Sequence, residues 1–188
     1  ASGPILSRNG KFMARRLADH QVQVWDLTTG TKRGPKFSTD VFFEGRLSDD
    51  GAHLVVLGRS DRVVKVWDVN SGAKRDFTWK HKSDIWDLAI SSDSRTVYIG
   101  EENGWVQAWS LADGQAVGMK WRASKELYSL ALSPDEQLLA TVNDESVLLW
   151  DLATQEKVAS FKGSGFSDSV ILSSVSSSMS TNAKLLLR

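Results

Sequence analysis

Cysteine is absent from all 188 residues. Its absence excludes disulfides, thiolate metal sites and a cysteine nucleophile together. Histidine is scarce, and His20, His53 and His81 are too scattered to read as a ligand cluster with metal spacing. Neither sign of charge dominates: Lys plus Arg and Asp plus Glu both number 23, so no net field draws in nucleic acid or an anionic membrane. The pairs Arg15-Arg16 and Lys32-Arg33 read as solvated strand or turn positions, because duplex binding needs several clustered cations. No apolar run approaches the roughly 18 residues that cross a bilayer. The opening Ala1-Ser2-Gly3-Pro4 has neither a basic region nor an apolar core to act as a leader. These absences leave a soluble chain, expected in the cytoplasm with the nucleus also open, and the missing initiator methionine suggests that residue 1 is not the natural start.

What is present is a repeat. Trp25, Trp67, Trp109 and Trp150 stand 42, 42 and 41 positions apart, in Val24-Trp25-Asp26-Leu27, Val66-Trp67-Asp68-Val69, Ala108-Trp109-Ser110-Leu111 and Leu149-Trp150-Asp151-Leu152. Asp19, Asp61, Asn103 and Asp144 lie six residues before these anchors, and Gly30, Gly72, Gly114 and the exception Gln155 lie five after. A short polar side chain between apolar stretches suits a tight hairpin, and glycine suits a turn that needs positive φ. Alternation in Val22-Gln23-Val24 and Val106-Gln107-Ala108 is the period-two signature of strands. Upstream, Ser7-Arg8-Asn9-Gly10, Ser48-Asp49-Asp50-Gly51, Ser91-Ser92-Asp93-Ser94 and Ser133-Pro134-Asp135-Glu136 each follow an apolar run, as turns between two strands do.

Strand, Ser-x-Asp-Gly turn, strand, Asp turn, Trp-Asp strand and Gly turn resemble the repeat of the WD-repeat β-propeller family, and the resemblance runs over nearly the whole chain. It implies an all-β fold of four-stranded antiparallel blades in an incomplete ring. Residues 1–163 would carry four repeats, the first incomplete, with later blades over Val41–Trp79, Ile85–Trp121 and Leu127–Phe161. Residues 164–180, in which nine of seventeen are serine, read as a flexible surface loop. Residues 168–188 read as a partial fifth repeat, Val170–Leu172 being its innermost strand. A closed ring of about seven blades needs roughly 300 residues, so the resemblance also implies further sheet, from the rest of the same protein or from a second copy of the chain.

Aromatics recur five residues before the Ser landmarks, at Phe43, Trp86 and Tyr128. By resemblance they open the innermost strands, near the rim where family members dock partner proteins or peptides. Trp and Tyr offer large amphipathic contact area, although packing of one blade on the next explains the same placement. Glu44, Asp84 and Glu102 would add acidic character there and select a basic peptide. His81 falls where the family places a histidine, which implies a structural contact among His81, Asn103 and Trp109, and it stands as a seventh candidate rim residue for partner binding beside Phe43, Glu44, Asp84, Trp86, Glu102 and Tyr128. A second series, Phe37, Trp79 and Trp121, follows the anchors by twelve residues and would end the outermost strands under loops.

Signatures of catalysis are missing. Asp26-Leu27-Thr28-Thr29-Gly30 lacks the tryptophan that quinone-cofactor propellers place after it, Ser133-Pro134-Asp135 lacks that of an Asp box, and no Gly-x-Ser-x-Gly or phosphate loop occurs. No cofactor is implied. The reading is therefore a non-enzymatic interaction scaffold. The alternatives are the ligand-sensing propeller of a nucleotide-switch signalling ATPase and, less in keeping with these residues, a propeller-fold enzyme.

Overall fold

The structure, a computed structural model, describes residues 3–17, 20–39, 44–58, 62–163, 170–172 and 185–187. Among them there is no helix long and apolar enough to cross a membrane. The described elements are β-strands in antiparallel sheets, four sheets having four strands and one having two.

The first sheet orders β1 (Ile5–Leu6), β2 (Phe12–Arg16), β3 (Gln21–Asp26) and β4 (Thr31–Ser38), so all four strands are present, with the innermost reduced to two residues. The second orders β5 (Glu44–Leu47), β6 (His53–Gly58), β7 (Val63–Asp68) and β8 (Lys74–Lys80). The third holds β9 (Ile85–Ile90), β10 (Thr96–Glu101), β11 (Trp105–Ser110) and β12 (Ala116–Arg122). The fourth holds β13 (Ser129–Leu132), β14 (Leu138–Val142), β15 (Ser146–Asp151) and β16 (Lys157–Lys162), and β17 (Val170–Leu172) pairs with β18 (Leu185–Leu187). The remainder of the serine-rich stretch, 164–169 and 173–180, lies outside the described residues, as do Asp19, Asp61 and Phe43.

The serine landmark has one physical job, repeated four times. Ser7, Ser48, Ser91 and Ser133 each donate their hydroxyl to the carbonyl or carboxylate oxygen two residues on, at Asn9, Asp50, Asp93 and Asp135, over 2.5–2.7 Å. The serine hydroxyl oxygens in turn accept the amides of Phe12, His53, Thr96 and Leu138, five residues on from each serine, over 2.9–3.0 Å. A buried hydroxyl must be satisfied, and one that donates and accepts at once closes the turn between two strands. The fourth residue of each turn is left-handed whatever its side chain: Gly10 and Gly51 at φ 69° and 66°, Ser94 and Glu136 at 58° and 56°.

The aspartate that follows three of the four anchor tryptophans caps the next turn, and Ser110 stands in its place after Trp109, accepting the Ala112 amide. Asp26 accepts from the Thr28 and Thr29 amides, Asp68 from Ser71, and Asp151 from Ala153 and Thr154. The Thr28 hydroxyl bond leads in holding Asp26 below the usual carboxylate range, and the amides of Ser71 and Thr154 do so for Asp68 and Asp151. The turn then needs a left-handed residue. Gly30, Gly72 and Gly114 supply it at φ 69°, 72° and 74°, and Gln155, the exception to the glycine pattern, adopts 59°.

By packing, the chain divides into two units. One comprises 1–82, 90–97 and 109–116; the other comprises 83–89, 98–108 and 117–188. The core of the first sets Phe12, Ala14, Val22, Val24 and Phe37 of the first sheet against Leu47, Leu54, Val56 and Trp67 of the second. Its turns are tied too: the Asn9 side chain and amide bond Asp49 at 2.7 and 2.8 Å, and the Asp50 amide bonds the Ser94 hydroxyl at 3.2 Å. The core of the second unit gathers Val106, Ala123, Leu127, Leu130, Leu132 and Leu139, with a further cluster at Ala140, Val142, Val147 and Leu149.

Candidate partner-binding rim

The second unit brings four of the seven rim residues to the openings of its innermost strands. Trp86 is the second residue of β9, and Tyr128 immediately precedes β13. Their rings meet edge to face with centroids 5.5 Å apart and an interplanar angle of 67°. Such a pair is a blade-on-blade contact in its own right, and its members remain half-buried rather than enclosed. Main-chain bonds align the neighbours: the Glu102 amide donates to Asp84 O at 2.8 Å, and the Leu127 amide to Glu102 O at 3.0 Å. Asp84 and Glu102 are exposed beside these bonds.

Two further carboxylates converge on the tyrosine. The Tyr128 hydroxyl lies 3.0 Å from Asp144 Oδ2 and 3.1 Å from Glu126 Oε2. Those acceptors, Asp144 foremost, push the phenol up to about 12, because losing the proton would set an oxyanion against carboxylates. Tyr128 therefore stays a neutral donor at physiological pH. Asp144, an anchor of the turn series, is thus also a neighbour of the aromatic pair. Asn103, its counterpart one repeat earlier, accepts the Trp105 amide at 3.4 Å.

His81 belongs to the first unit. Its ring stands edge-on to Trp109 at 6.2 Å, and Trp109 stacks on Trp79 at 5.6 Å. The amide of His81 donates to Arg62 O at 2.9 Å. Glu44 opens β5, and its side chain, like Phe43, is outside the described residues. Two members of the outer aromatic series are enclosed, Phe37 at 6% and Trp79 at 2% exposure, and Trp79 Nε1 donates to Gly114 O at 3.0 Å, whereas Trp121 is half-buried.

Sequence reasoning passed over Asp87. This buried carboxylate accepts the Ser129 hydroxyl at 2.8 Å and the Leu130 amide at 3.1 Å through Oδ2, and the Leu88 amide at 2.8 Å through Oδ1. It ties β13 to β9 at the residues next in sequence to Tyr128 and Trp86, so it fixes the spacing of the two strand openings that carry the aromatic pair. A signal for it existed, since Asp87 and Ser129 both stand four residues before their Ser landmarks. No group of three or more potential metal ligands occurs among the described residues.

Residues 74–110 and 119–151 match the family described as WD40, "WD domain, G-beta repeat". No curated protein matches the chain by sequence. Among solved structures, a chain of the Kuenenia stuttgartiensis hydrazine synthase aligns with TM-score 0.68 and 19% identity, over 89% of this chain. This chain spans 50% of that one. At that identity the likeness is one of fold.

Proposed function

Since residues 74–110 and 119–151 are WD40 repeats and the sheets are of the propeller-blade type, we propose that this chain is a non-enzymatic interaction scaffold that takes up a basic segment of a partner protein at the Trp86–Tyr128 rim. A cytoplasmic or nuclear assembly is the setting that goes with this reading, and further blades, from the same protein or a second copy, would continue the sheet series. One observation carries the proposal: two large aromatics stay half-exposed at adjoining strand openings with Asp84, Glu102, Glu126 and Asp144 around them. An exposed aromatic face attracts a guanidinium or ammonium by cation–π interaction, and neighbouring carboxylates favour the same charge. Asp87 keeps both rings in place before the partner arrives, which lowers the ordering cost of binding.

The test is binding of a panel of arginine- and lysine-containing peptides to the full chain and to Trp86→Ala and Tyr128→Ala. Each substitution is expected to weaken the best binder by tenfold or more, in the manner of interface hot spots above about 2 kcal/mol, while leaving the melting temperature nearly unchanged. If both lower the melting temperature strongly and the folded fraction binds as before, the pair is core and the rim reading fails. The likeness to a hydrazine synthase chain, at 19% identity, lends no activity to this one.

A further inference from the structure

One face of the second sheet is covered, and the first sheet presents the same face bare. In the second sheet Leu47, Leu54 and Trp67 lie opposite one another across β5, β6 and β7, and cross-strand partners share a face. With Val69 they pack in one core with Phe12, Ala14, Val22, Val24 and Phe37 of the first sheet, and are 0–3% exposed. Leu6, Met13, Trp25 and Leu27 hold the same four repeat positions in the first sheet, the first three again opposite one another across β1, β2 and β3. There Leu6 is 53% and Leu27 44% exposed, and Met13 and Trp25 are half-buried.

The turns carry the same imprint. A Cβ added to Gly51 would come within 2.6 Å of the Phe12 ring, and one added to Gly72 within 3.3 Å of Phe37 Cβ, so each glycine seats an aromatic of the preceding sheet. Gly10 and Gly30 hold those two repeat positions in the first sheet, and among the described residues no atom lies within 4 Å of a Cβ placed on either. Contiguous apolar surface of this kind on a folded chain marks an interaction site. Charge distinguishes the two faces. Arg15 stands where the second sheet has the buried Val56, and Arg8 stands where it has Asp49, the residue that accepts from the Asn9 amide and side chain. Arg15 pairs with Gln23, and Lys32 with Trp25, so the strand residues of the bare face include cations and no carboxylate.

We propose that this face takes a further WD-type sheet, of a sequence other than this chain's own, with apolar residues at its centre, an aromatic ring for each glycine seat and carboxylates opposite Arg8 and Arg15. The contact between the first and second sheets supplies the template, and charge complementarity sets the difference. A second copy does not fit. Its fourth-sheet counterpart of the Ala14 and Val24 face, which holds Ala140, Val142, Val147 and Leu149, is itself buried at 0–3% exposure. Two bare faces set together would bury cation against cation. The inference rests on the reading that further blades continue the sheet series and is independent of the Trp86–Tyr128 rim.

Because the chain has no cysteine, Leu27→Cys gives a single labelling site on this face. A thiol reagent is expected to label it in the native chain nearly as fast as in denaturant. With an environment-sensitive fluorophore there, the probe is a backbone-cyclised β-hairpin peptide whose one face carries valine and phenylalanine flanked by glutamates, beside a twin with lysines for the glutamates. The glutamate hairpin should shift the emission saturably to the blue. The twin should bind about tenfold more weakly, as should the glutamate hairpin to an Arg8→Glu/Arg15→Glu chain whose melting temperature shows that it folds. A cysteine that is unreactive in the native chain means the face is closed within the chain, which overturns the proposal and the further-blade reading with it. Equal affinity for the two hairpins, or an affinity that survives the charge reversal, overturns the acidic sheet alone. A chain that sediments as a dimer until Leu6→Lys separates it also overturns the proposal, making the second copy the occupant while further blades still continue the series.

Discussion

Two aromatic series run through the same repeats and end in different places. Phe37 and Trp79, which lie near the ends of outer strands in the first unit, are 6% and 2% exposed, and the indole N–H of Trp79 is bonded to a main-chain oxygen. Trp86 and Tyr128, which open inner strands in the second unit, touch each other yet remain half-buried. The residue types are alike; what differs is whether a turn lies over the ring. Gly114 shows how tightly that covering fits, since an added Cβ would come within 2.4 Å of the Phe77 ring. Trp121, at the same repeat position in the second unit, is half-buried like the rim pair, so the covering, and not repeat position alone, sorts aromatics into those that stabilise and those that stay available.

This division can be broken by substitution. Trp79→Ala should have the largest effect, destabilising by about 3–5 kcal/mol in chemical denaturation, because it removes a buried ring and strands the Gly114 carbonyl. If it costs less than Trp86→Ala, the division of roles is reversed. Asp87→Ala comes next. It leaves the Ser129 hydroxyl and the Leu130 amide without their acceptor in a buried site and should cost about 1–3 kcal/mol. It should also weaken peptide capture at the rim, which Trp79→Ala in its folded fraction should not.

The smallest effect is one of pH and concerns the first unit. Burial holds His53 below its ordinary value of 6.5, with Arg75 acting in the same direction against Asp50 and Asp68. The unfolded chain then takes up a proton at His53 that the folded chain does not. Stability is complete above pH 6.5 and falls as the pH drops from there through the lowered folded value. Denaturation curves recorded between pH 7.5 and 5 should show this decline in the wild type and lose it in His53→Phe. Asp26, Asp68 and Asp151, whose values are lowered, contribute a separate loss only below about pH 3.8, as their turn bonds are protonated away.

The sequence made the local parts of this molecule legible. A serine that bonds two and five residues ahead, or an aspartate that caps the turn after its tryptophan, acts within one repeat, so its spacing recurs and can be read. Ties between repeats are harder to read. Asp87 meets Ser129 forty-two residues on, and only the repeat position they share, four residues before each Ser landmark, connects them in the sequence. Gln23 and Gln107 are similar: each stands two residues before an anchor, is buried, and spends its amide on carbonyls of its own and the outer strand. Glutamine in a strand looks solvent-facing until the outer strand is seen to bulge over it. For the rim, recurrence located Trp86 and Tyr128, whereas Glu126 and Asp144 converge on the phenol from separate stretches of chain.

The self-contained serine turn bears on how such a chain can be rearranged. Each turn closes on its own residues, so a repeat is a cassette that can be duplicated or transplanted with its two central strands intact. The Asp87–Ser129 bond is different, for it specifies neighbours. Exchanging the third and fourth cassettes would leave each serine hydroxyl bonded within its own turn and still separate that acid from its hydroxyl, so the order of these two repeats is written in contacts between them, this buried pair among them, rather than in the motif that makes them recognisable.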